Sequence, residues 1–238
     1  MTIELAGEPT PGSDDTTAER RSIAMVTGRG NATLEQRRWD TRPGEPRIFF
    51  VSGETLEFDQ RTGEASVPGP GELLIRDLRP AAEGGERADT FAARGTTGLR
   101  WTTRLQMTRQ SETLYDILVL DGIEMRHLDL DGQTSTLTCN RIDATIDRSD
   151  PAATDGPTDL KHVRAQGEVF LRTPTRDVDC DLFDYDVTSG RAALESNPDH
   201  VVTIHTRGTS QTITMRYAEW NLRTDELTAR SGSGGTEK

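Results

Sequence analysis

The chain has 238 residues, of which 32% are apolar and 5% aromatic, and its 40 acidic and 28 basic side chains give a formal net charge of −12. A negative overall field repels polyanions, so this composition argues against a nucleic-acid partner. The small apolar share favours a thin all-β structure over a thick globular core.

The composition divides the chain into three parts. Residues 1–20 are predicted to be a flexible lead-in, 21–229 one continuous β-body, and 230–238 a flexible tail rich in Gly and Ser. No apolar run approaches the ~20 residues that span a bilayer, and the first residues lack the order of a secretion signal. We expect either a cytosolic chain or one separated from its signal, and flexible ends fit a segment of a longer protein.

One strand pattern recurs along the body, with inward positions p, p+2, p+5 and p+7. Clear copies begin at Val51, Leu137 and Val178, and weaker copies begin at Arg100 and Met215. The step of three predicts a β-bulge that keeps all four side chains on one face. In the best copy these side chains are Val178, Cys180, Phe183 and Tyr185.

Each copy follows a short strand that places two apolar residues on one face. These pairs are Ala32 and Leu34, Leu73 and Ile75, Ile123 and Met125, Val169 and Leu171, and Val202 and Ile204. The pattern therefore predicts about five antiparallel two-strand repeats, with turns at residues 59–63 and 186–190. Residues 37–46 are predicted to form an enlarged loop, 80–89 a mobile excursion, and 150–159 a separator.

These residues resemble a known family. The order G-x-apolar-x-apolar, a short connection, apolar-x-small-acidic-x-apolar-x-aromatic and D-x-x-T/S-G is similar to the OstA-like domain of the lipopolysaccharide-transport proteins LptA, LptC and LptD. Residues 167–194 match best, and Gly30 with 51–67 match nearly as well. The resemblance implies a twisted, partly open β-jellyroll, located in the periplasm, whose apolar groove holds lipopolysaccharide acyl chains and whose domains join end to end.

The repeat pattern supplies a candidate lipid-binding set of inward apolar side chains. If the walls are splayed, an acyl tail of about twelve methylenes gains roughly 10 kcal/mol gross on burial, at ~0.8 kcal/mol per methylene. Against this stands a dry sandwich core in which the walls seal each other. The set is Leu34, Val51, Leu56, Phe58, Leu73, Ile75, Ile123, Met125, Ile142, Val169, Leu171, Phe183, Tyr185, Val202 and Ile204.

A second hypothesis is a structural module without a ligand, whose terminal strands pair with other OstA-like β-domains. An enzyme is not expected, because the chain has no G-x-S-x-G elbow, phosphate loop or dinucleotide fingerprint. No cofactor is predicted either. The four histidines, His127, His162, His200 and His205, show no zinc-ligand spacing with Cys or carboxylates.

Three further groups of residues have open or structural interpretations. The aspartates at 177, 179, 181, 184 and 186 alternate with apolar residues, which favours a solvated strand face over a calcium loop. Cys139 and Cys180 occupy one slot in neighbouring repeats, either as free, half-buried thiols or as a disulfide. The tryptophans are expected to plug or edge the core, and Trp220 fits a cap on an open end. They are Trp39, Trp101 and Trp220.

Overall fold

The computed structural model describes residues 2–5, 23–38, 47–59, 61–78, 94–147 and 160–229. Every regular element in these ranges is a β-strand, and the strands pair antiparallel, which confirms the predicted all-β antiparallel class. The strands are β1 Thr2–Leu5, β2 Ile23–Arg38, β3 Arg47–Asp59, β4 Glu64–Pro68, β5 Gly71–Asp77, β6 Gly95–Trp101, β7 Arg104–Arg109, β8 Leu114–Asp129, β9 Thr134–Asp147, β10 Leu160–Arg172, β11 Arg176–Asp186, β12 Arg191–Glu195, β13 Val202–Thr206, β14 Thr212–Met215, β15 Tyr217–Asn221 and β16 Glu226–Ala229.

Three long strand pairs bend at the same kind of bulge. Two residues of β2, β8 or β10 lie opposite one residue of β3, β9 or β11. Both extra residues adopt left-handed backbone angles, which sharpens the bend. They are Gly30 and Asn31 (φ 74 and 56), Asp121 and Gly122 (φ 61 and 53), and Gly167 and Glu168 (φ 76 and 49). The predicted bulge is therefore present, with the extra residues on the strand that precedes each clear copy.

The bends divide the sheet into two wings. Wing 1 contains β4, β7, β12, β15 and β16, and wing 2 contains β5, β6, β13 and β14; β2, β3, β8, β9, β10 and β11 contribute one half to each. Because β3 and β8 belong to both wings, the pairing β3–β4–β7–β8–β6–β5 returns to β3 and closes a six-stranded barrel. The remaining strands extend this barrel towards both ends of the chain.

Inward side chains line up across neighbouring strands into apolar rows, because strand residues alternate between two faces. The wing-2 row contains Leu34, Val51, Leu73, Leu99, Met125, Leu137, Leu171, Val178, Ile204 and Ile213. The wing-1 row contains Val26, Phe58, Ala65, Met107, Ile117, Ala144, Val163, Tyr185, Ala192, Trp220 and Leu227. Buried members of both rows belong to one core cluster.

The two weaker copies differ from the prediction. Arg100 is exposed, and the buried residues are Trp101 and Leu105, because the chain leaves the ladder at Thr102 and Thr103 between β6 and β7. The last copy is interrupted in the same way, between β14 and β15. These copies are thus separate strands joined by a corner, and their first halves differ from the predicted positions: Trp101 is buried in place of Arg100, and Ala218 in place of Tyr217. Their second halves lie inward as predicted, with Leu105 and Met107 in one copy and Trp220 and Leu222 in the other.

The predicted turns are confirmed by backbone hydrogen bonds. Gly63 N donates to Asp59 O at 2.7 Å, and Gly190 N donates to Asp186 O at 3.0 Å. Within the predicted lead-in, Thr2–Leu5 form β1 and pair with β2. The excursion at 80–89, the separator at 150–159, the tail at 230–238, most of the loop at 37–46 and Trp39 lie outside the described residues.

Candidate functional site

All fifteen residues of the candidate lipid-binding set lie on strands, and they differ in burial. Four, Leu34, Phe58, Leu73 and Met125, are partly buried and pack against the core cluster, and Ile75 is also partly buried. The other ten are buried: Val51, Leu56, Ile123, Ile142, Val169, Leu171, Phe183, Tyr185, Val202 and Ile204. The structure therefore brings fourteen of the fifteen to one interior.

Burial changes along the wing-2 row. At the β10 to β13 end, Leu171, Val178 and Ile204 are each 0% exposed. At the β2 to β8 end, Leu73, Leu99 and Met125 occupy equivalent positions in the row but are only partly buried. Since these residues share one register, the difference reflects how well each part of the interior is covered. The row is therefore sealed from β9 to β13, where Leu137 is also buried, and less completely covered from β5 to β8. Two members depart from this trend: Val51 on β3 is 6% exposed, and Ile213 on the edge strand β14 is only partly buried.

Trp220 lies near the C-terminal end of the wing-1 row, opposite Leu227 on β16. Its ring is 2% exposed within the core cluster, and its indole nitrogen donates to Asp225 Oδ1 at 3.0 Å. This burial agrees with the expected place of a tryptophan in the core, and the capping role of Trp220 stays a prediction. Trp101 lies in the barrel, where its indole nitrogen donates to the backbone oxygen of Gly69 at 3.0 Å.

Polar side chains gather at one margin of wing 2. We call this margin the polar rim; its residues are Asp77, Thr97, His127, Ser135 and Thr173. Thr97 lies opposite His127, which lies opposite Ser135, two residues beyond the apolar wing-2 row on their strands. On β5 the residue opposite Thr97 is the apolar Ile75, and Asp77 follows two residues further along the strand. All except Thr97 are buried, and these four are the buried polar side chains of the described part of the chain.

His127 is the polar-rim residue whose hydrogen bonding is incomplete. Its Nδ1 lies 2.8 Å from Thr97 Oγ1, while its Nε2 is buried without a protein hydrogen-bond partner. An unsatisfied buried polar group costs about 1–3 kcal/mol. Burial lowers the pKa of His127, opposed by the charge of Asp129, so the ring is neutral near pH 7. One nitrogen of a neutral ring, 2% exposed, therefore lacks a partner.

The aspartates of β11 lie on an outward face, as predicted. Asp177 pairs with Arg172 at 3.2 Å, and Asp184 contacts His162 at 2.5 Å, while Val178 and Tyr185, the residues that follow these aspartates, are fully buried. Asp186 serves the turn, accepting from Ser189 N at 2.6 Å. These carboxylates act in separate ion pairs and turns along the strand.

Cys139 and Cys180 are both free and buried. Strand β10 lies between their strands, with Val169 opposite Cys180. Two strand spacings of about 4.8 Å place the cysteine Cα atoms beyond the ~7 Å that a disulfide can bridge. The free-thiol alternative therefore holds in this fold, with deeper burial than the half-buried state expected.

A surface cleft of about 380 Å³ lies beside the bend of β11. His200 Nδ1 contacts Asp181 Oδ1 at 3.1 Å, and the same carboxylate accepts from Asn197 N at 2.7 Å. The Asn197 amide first, and His200 second, lower the pKa of Asp181, and Asp181 raises the pKa of His200. The cleft combines polar side chains with the apolar Val201 and with Cys180 of the core cluster; its lining residues are Asp179, Cys180, Asp181, Ser196, Asp199, His200 and Val201.

Two other kinds of site have no candidate in the ranges that the structure describes. No group of three or more His, Cys, Asp or Glu side chains there is arranged to hold a metal ion. No helix of sufficient length and apolar character to cross a membrane occurs in them either. No family model and no curated protein matches the sequence.

Sequence reasoning missed the polar rim. His127 was considered only as a zinc ligand and Ser135 not at all, because polar residue types do not indicate burial. A signal was nevertheless present: His127 continues the inward alternation of Ile123 and Met125, and Ser135 precedes the alternation of Leu137 and Cys139. Extending each apolar alternation by one step predicts where the interior becomes polar.

Proposed function

We propose that the chain is a non-enzymatic, OstA-like segment of a periplasmic lipid-transport system, which holds the acyl chains of a lipopolysaccharide-type lipid in its interior. In this proposal the two wings are the halves of a twisted β-jellyroll, sealed at the β15 end and less covered at the β2 end. The head group stays outside, next to a chain of net charge −12, so cations mediate between the protein and an anionic head group.

The observation that carries the proposal is the burial gradient along the wing-2 row. Leu73 and Met125 pack against the core yet keep part of their surface exposed. Apolar surface that the protein itself leaves uncovered gains free energy when a ligand covers it, at about 25 cal/mol per Å². An acyl chain against this part of the row supplies that cover.

The same gradient assigns different roles to the two ends of the candidate set. Val169, Leu171 and Phe183 are each 0% exposed, so they already bury one another. They hold the wings together as an ordinary β-core. In the proposal the acyl chain lies against the partly buried members, which are Leu34, Phe58, Leu73, Ile75 and Met125.

The test introduces an aspartate at an inward position in each of the two parts of the wing-2 row. Leu73→Asp is expected to keep the fold, measured by circular dichroism, and to reduce the acyl lipid that native mass spectrometry detects after incubation with lipopolysaccharide. Leu171→Asp, at a fully buried position, is expected to unfold the protein. The control Thr138→Asp, at an exposed position of β9, should leave lipid binding unchanged. Equal lipid in Leu73→Asp and wild type rules the proposal out.

A second candidate function is a ligand-free assembly module, and the edge strands favour it. Among the described strands, β14 pairs only with β13, and the second half of β2 pairs only with β3. Unpaired edges are templates for strand addition.

Lysine substitutions on an edge strand test the assembly module independently of lipid binding. Thr212→Lys with Thr214→Lys on β14 should dissociate any assembly seen by analytical ultracentrifugation and leave lipid binding unchanged. Thr138→Lys, on a central strand, is the control. A wild-type protein that stays monomeric at every concentration excludes self-assembly through this edge.

A further inference from the structure

Polarity rises in steps along the inward face of wing 2. On β8 the order from the bend is Ile123, Met125, His127 and Asp129, which is apolar, apolar, neutral polar and acidic. Strand β9 repeats the order with Cys139, Leu137 and Ser135, and β10 has Val169 and Leu171, followed by Thr173 just after the strand ends. An amphiphile with its chain towards the bend and its polar part towards the rim matches this order.

Within the polar rim, one atom lacks a partner. Thr173 Oγ1 is used in its own turn, where it accepts from the backbone nitrogen of Arg176 at 3.0 Å. His127 has its Nδ1 occupied by Thr97, and its Nε2 is the buried atom left without a protein partner. Native proteins satisfy such atoms with an ordered water or with a ligand.

We infer that His127 Nε2 is a polar anchor of the interior, which hydrogen-bonds an uncharged hydroxyl or carbonyl oxygen at the junction between an acyl chain and its head group. This inference rests on the proposed lipid-binding function and assigns the part of the ligand that the apolar rows cannot recognise. A hydroxyl suits either tautomer of the ring, because it both donates and accepts, whereas a carbonyl suits the tautomer that carries hydrogen on Nε2.

The register places anchor and chain site side by side. His127 lies two residues from Met125 on β8, and Thr97 two residues from Leu99 on β6, a rise of about 7 Å along each strand. One ligand can therefore contact the partly buried Met125 with its methylenes and His127 with the first polar group that follows them. A neutral imidazole favours an uncharged oxygen, because it brings no net charge to a buried ion.

The experiment uses two probes on the full chain: monolauroylglycerol, which has an ester and two hydroxyls, and n-dodecane, which has only the chain. His127→Phe removes both ring nitrogens at similar volume and should weaken monolauroylglycerol binding about tenfold, the worth of one buried hydrogen bond. Dodecane binding should stay unchanged. His127→Gln, which keeps a donor and an acceptor, should recover most of the affinity.

A matched control and a mutation-free readout complete the test. His205→Phe makes the same substitution at an outward position next to the buried Ile204, and it should leave both affinities unchanged. In the wild type, the nitrogen NMR signal of His127 Nε2 should shift on adding monolauroylglycerol and not on adding dodecane. This readout decides the question even if His127→Phe does not fold.

The outcomes distinguish the anchor from the proposed function. If the wild type binds both probes and His127→Phe binds monolauroylglycerol equally well, a buried water satisfies Nε2 and the anchor is overturned while the lipid site stands. If the wild type binds neither probe, the lipid site and the anchor are both overturned. A tenfold loss confined to monolauroylglycerol, with the shifted Nε2 signal, supports the anchor.

Discussion

Arg176 and Asp225 join the start of β11 to the turn between β15 and β16. Arg176 Nε donates to Asp225 Oδ1 at 2.8 Å, and its Nη2 donates to the backbone oxygen of Asp225 at 3.0 Å. The same Oδ1 accepts the indole hydrogen of Trp220 at 3.0 Å. One carboxylate thus fastens the wing-2 half of β11 to a wing-1 turn at the C-terminal end of the interior.

Removing this carboxylate should destabilise the protein. Asp225→Ala leaves the Arg176 guanidinium, 14% exposed, and the Trp220 nitrogen without their acceptor. Asp225 also has a left-handed backbone (φ 57), which alanine adopts less readily. Hydrogen bonds to charged groups are worth about 1.5–3 kcal/mol, and Asp225 is 40% exposed, so we expect a loss of roughly 2 kcal/mol by urea unfolding.

A graded variant isolates the charge in this interaction. Asp225→Asn keeps an oxygen acceptor and tolerates the left-handed backbone, so it should cost about half as much as alanine. Asp131→Asn, in the exposed turn between β8 and β9, should cost less than ~0.5 kcal/mol. Equal stability of Asp225→Ala and the wild type is the result that contradicts this role.

The bulge glycines should be sensitive to a side chain because of their backbone angle. Gly167 has φ 76, and a Cβ there would lie 3.2 Å from the Cβ of Asn140. Gly167→Ala should therefore lower the free energy of unfolding by about 1–2 kcal/mol. The matched change Gly98→Ala adds a Cβ in open space at a strand position without positive φ, so it should be neutral or slightly stabilising. Equal effects of the two changes would show that the bend does not depend on glycine.

The sequence predicted the parts of the fold that follow from the spacing of apolar residues along a single strand. Val178, Cys180, Phe183 and Tyr185 were placed on one face by their spacing, and all four are buried. The spacing p+2 to p+5 also located the bulge. The first half of the weak copy at Arg100 differs from the prediction, because a corner at 102–103 replaces the bulge and only the pairing with β8 reveals it. Leu105 and Met107, in its second half, lie inward as predicted.

The burial gradient and the polar rim depend on neighbours distant in sequence, so a local pattern could not predict them. Leu73 and Leu171 have the same pattern around them, yet Leu171 lies between covered strands and Leu73 near the less covered end. His127 is paired with Thr97, 30 residues away. Identical local signals therefore predicted one groove where the structure has a sealed core and a more exposed end.

Stability should fall as the pH drops below about 6.5 because of His127. Its pKa in the folded protein lies below the ordinary value of 6.5, since burial disfavours the charged ring. The stability that comes from this difference in pKa is complete above pH 6.5. It is lost as the pH falls towards the pKa of His127 in the folded protein, because the unfolded chain takes up the proton first. The slope should be at most about 1.4 kcal/mol per pH unit in urea titrations.

Replacing the imidazole of His127 should remove this dependence of stability on pH. His127→Phe is expected to have a flatter stability profile between pH 6.5 and 5, whereas His205→Phe should keep the wild-type profile.

His200 acts with the opposite sign: its raised pKa gives stability that is lost as the pH rises above 6.5. The carboxylates with lowered pKa values, Asp59, Asp181 and Asp186, affect stability only below about pH 4. A wild-type slope in His127→Phe would assign the effect elsewhere.

The two thiols should be inert in the folded protein. Burial raises the pKa of both Cys139 and Cys180 to about 12, so almost no thiolate is present at pH 8, and both side chains are within the core. Ellman's reagent should modify neither cysteine in buffer and both in 6 M guanidinium chloride.

Because β10 separates the two cysteines, an oxidant should form no Cys139–Cys180 disulfide in the native state. Cys139→Ala and Cys180→Ala should each lower the free energy of unfolding by about 1 kcal/mol through lost packing. Rapid modification of the native protein would show instead that the bend opens, since Cys180 lies beside the cleft at the bend of β11.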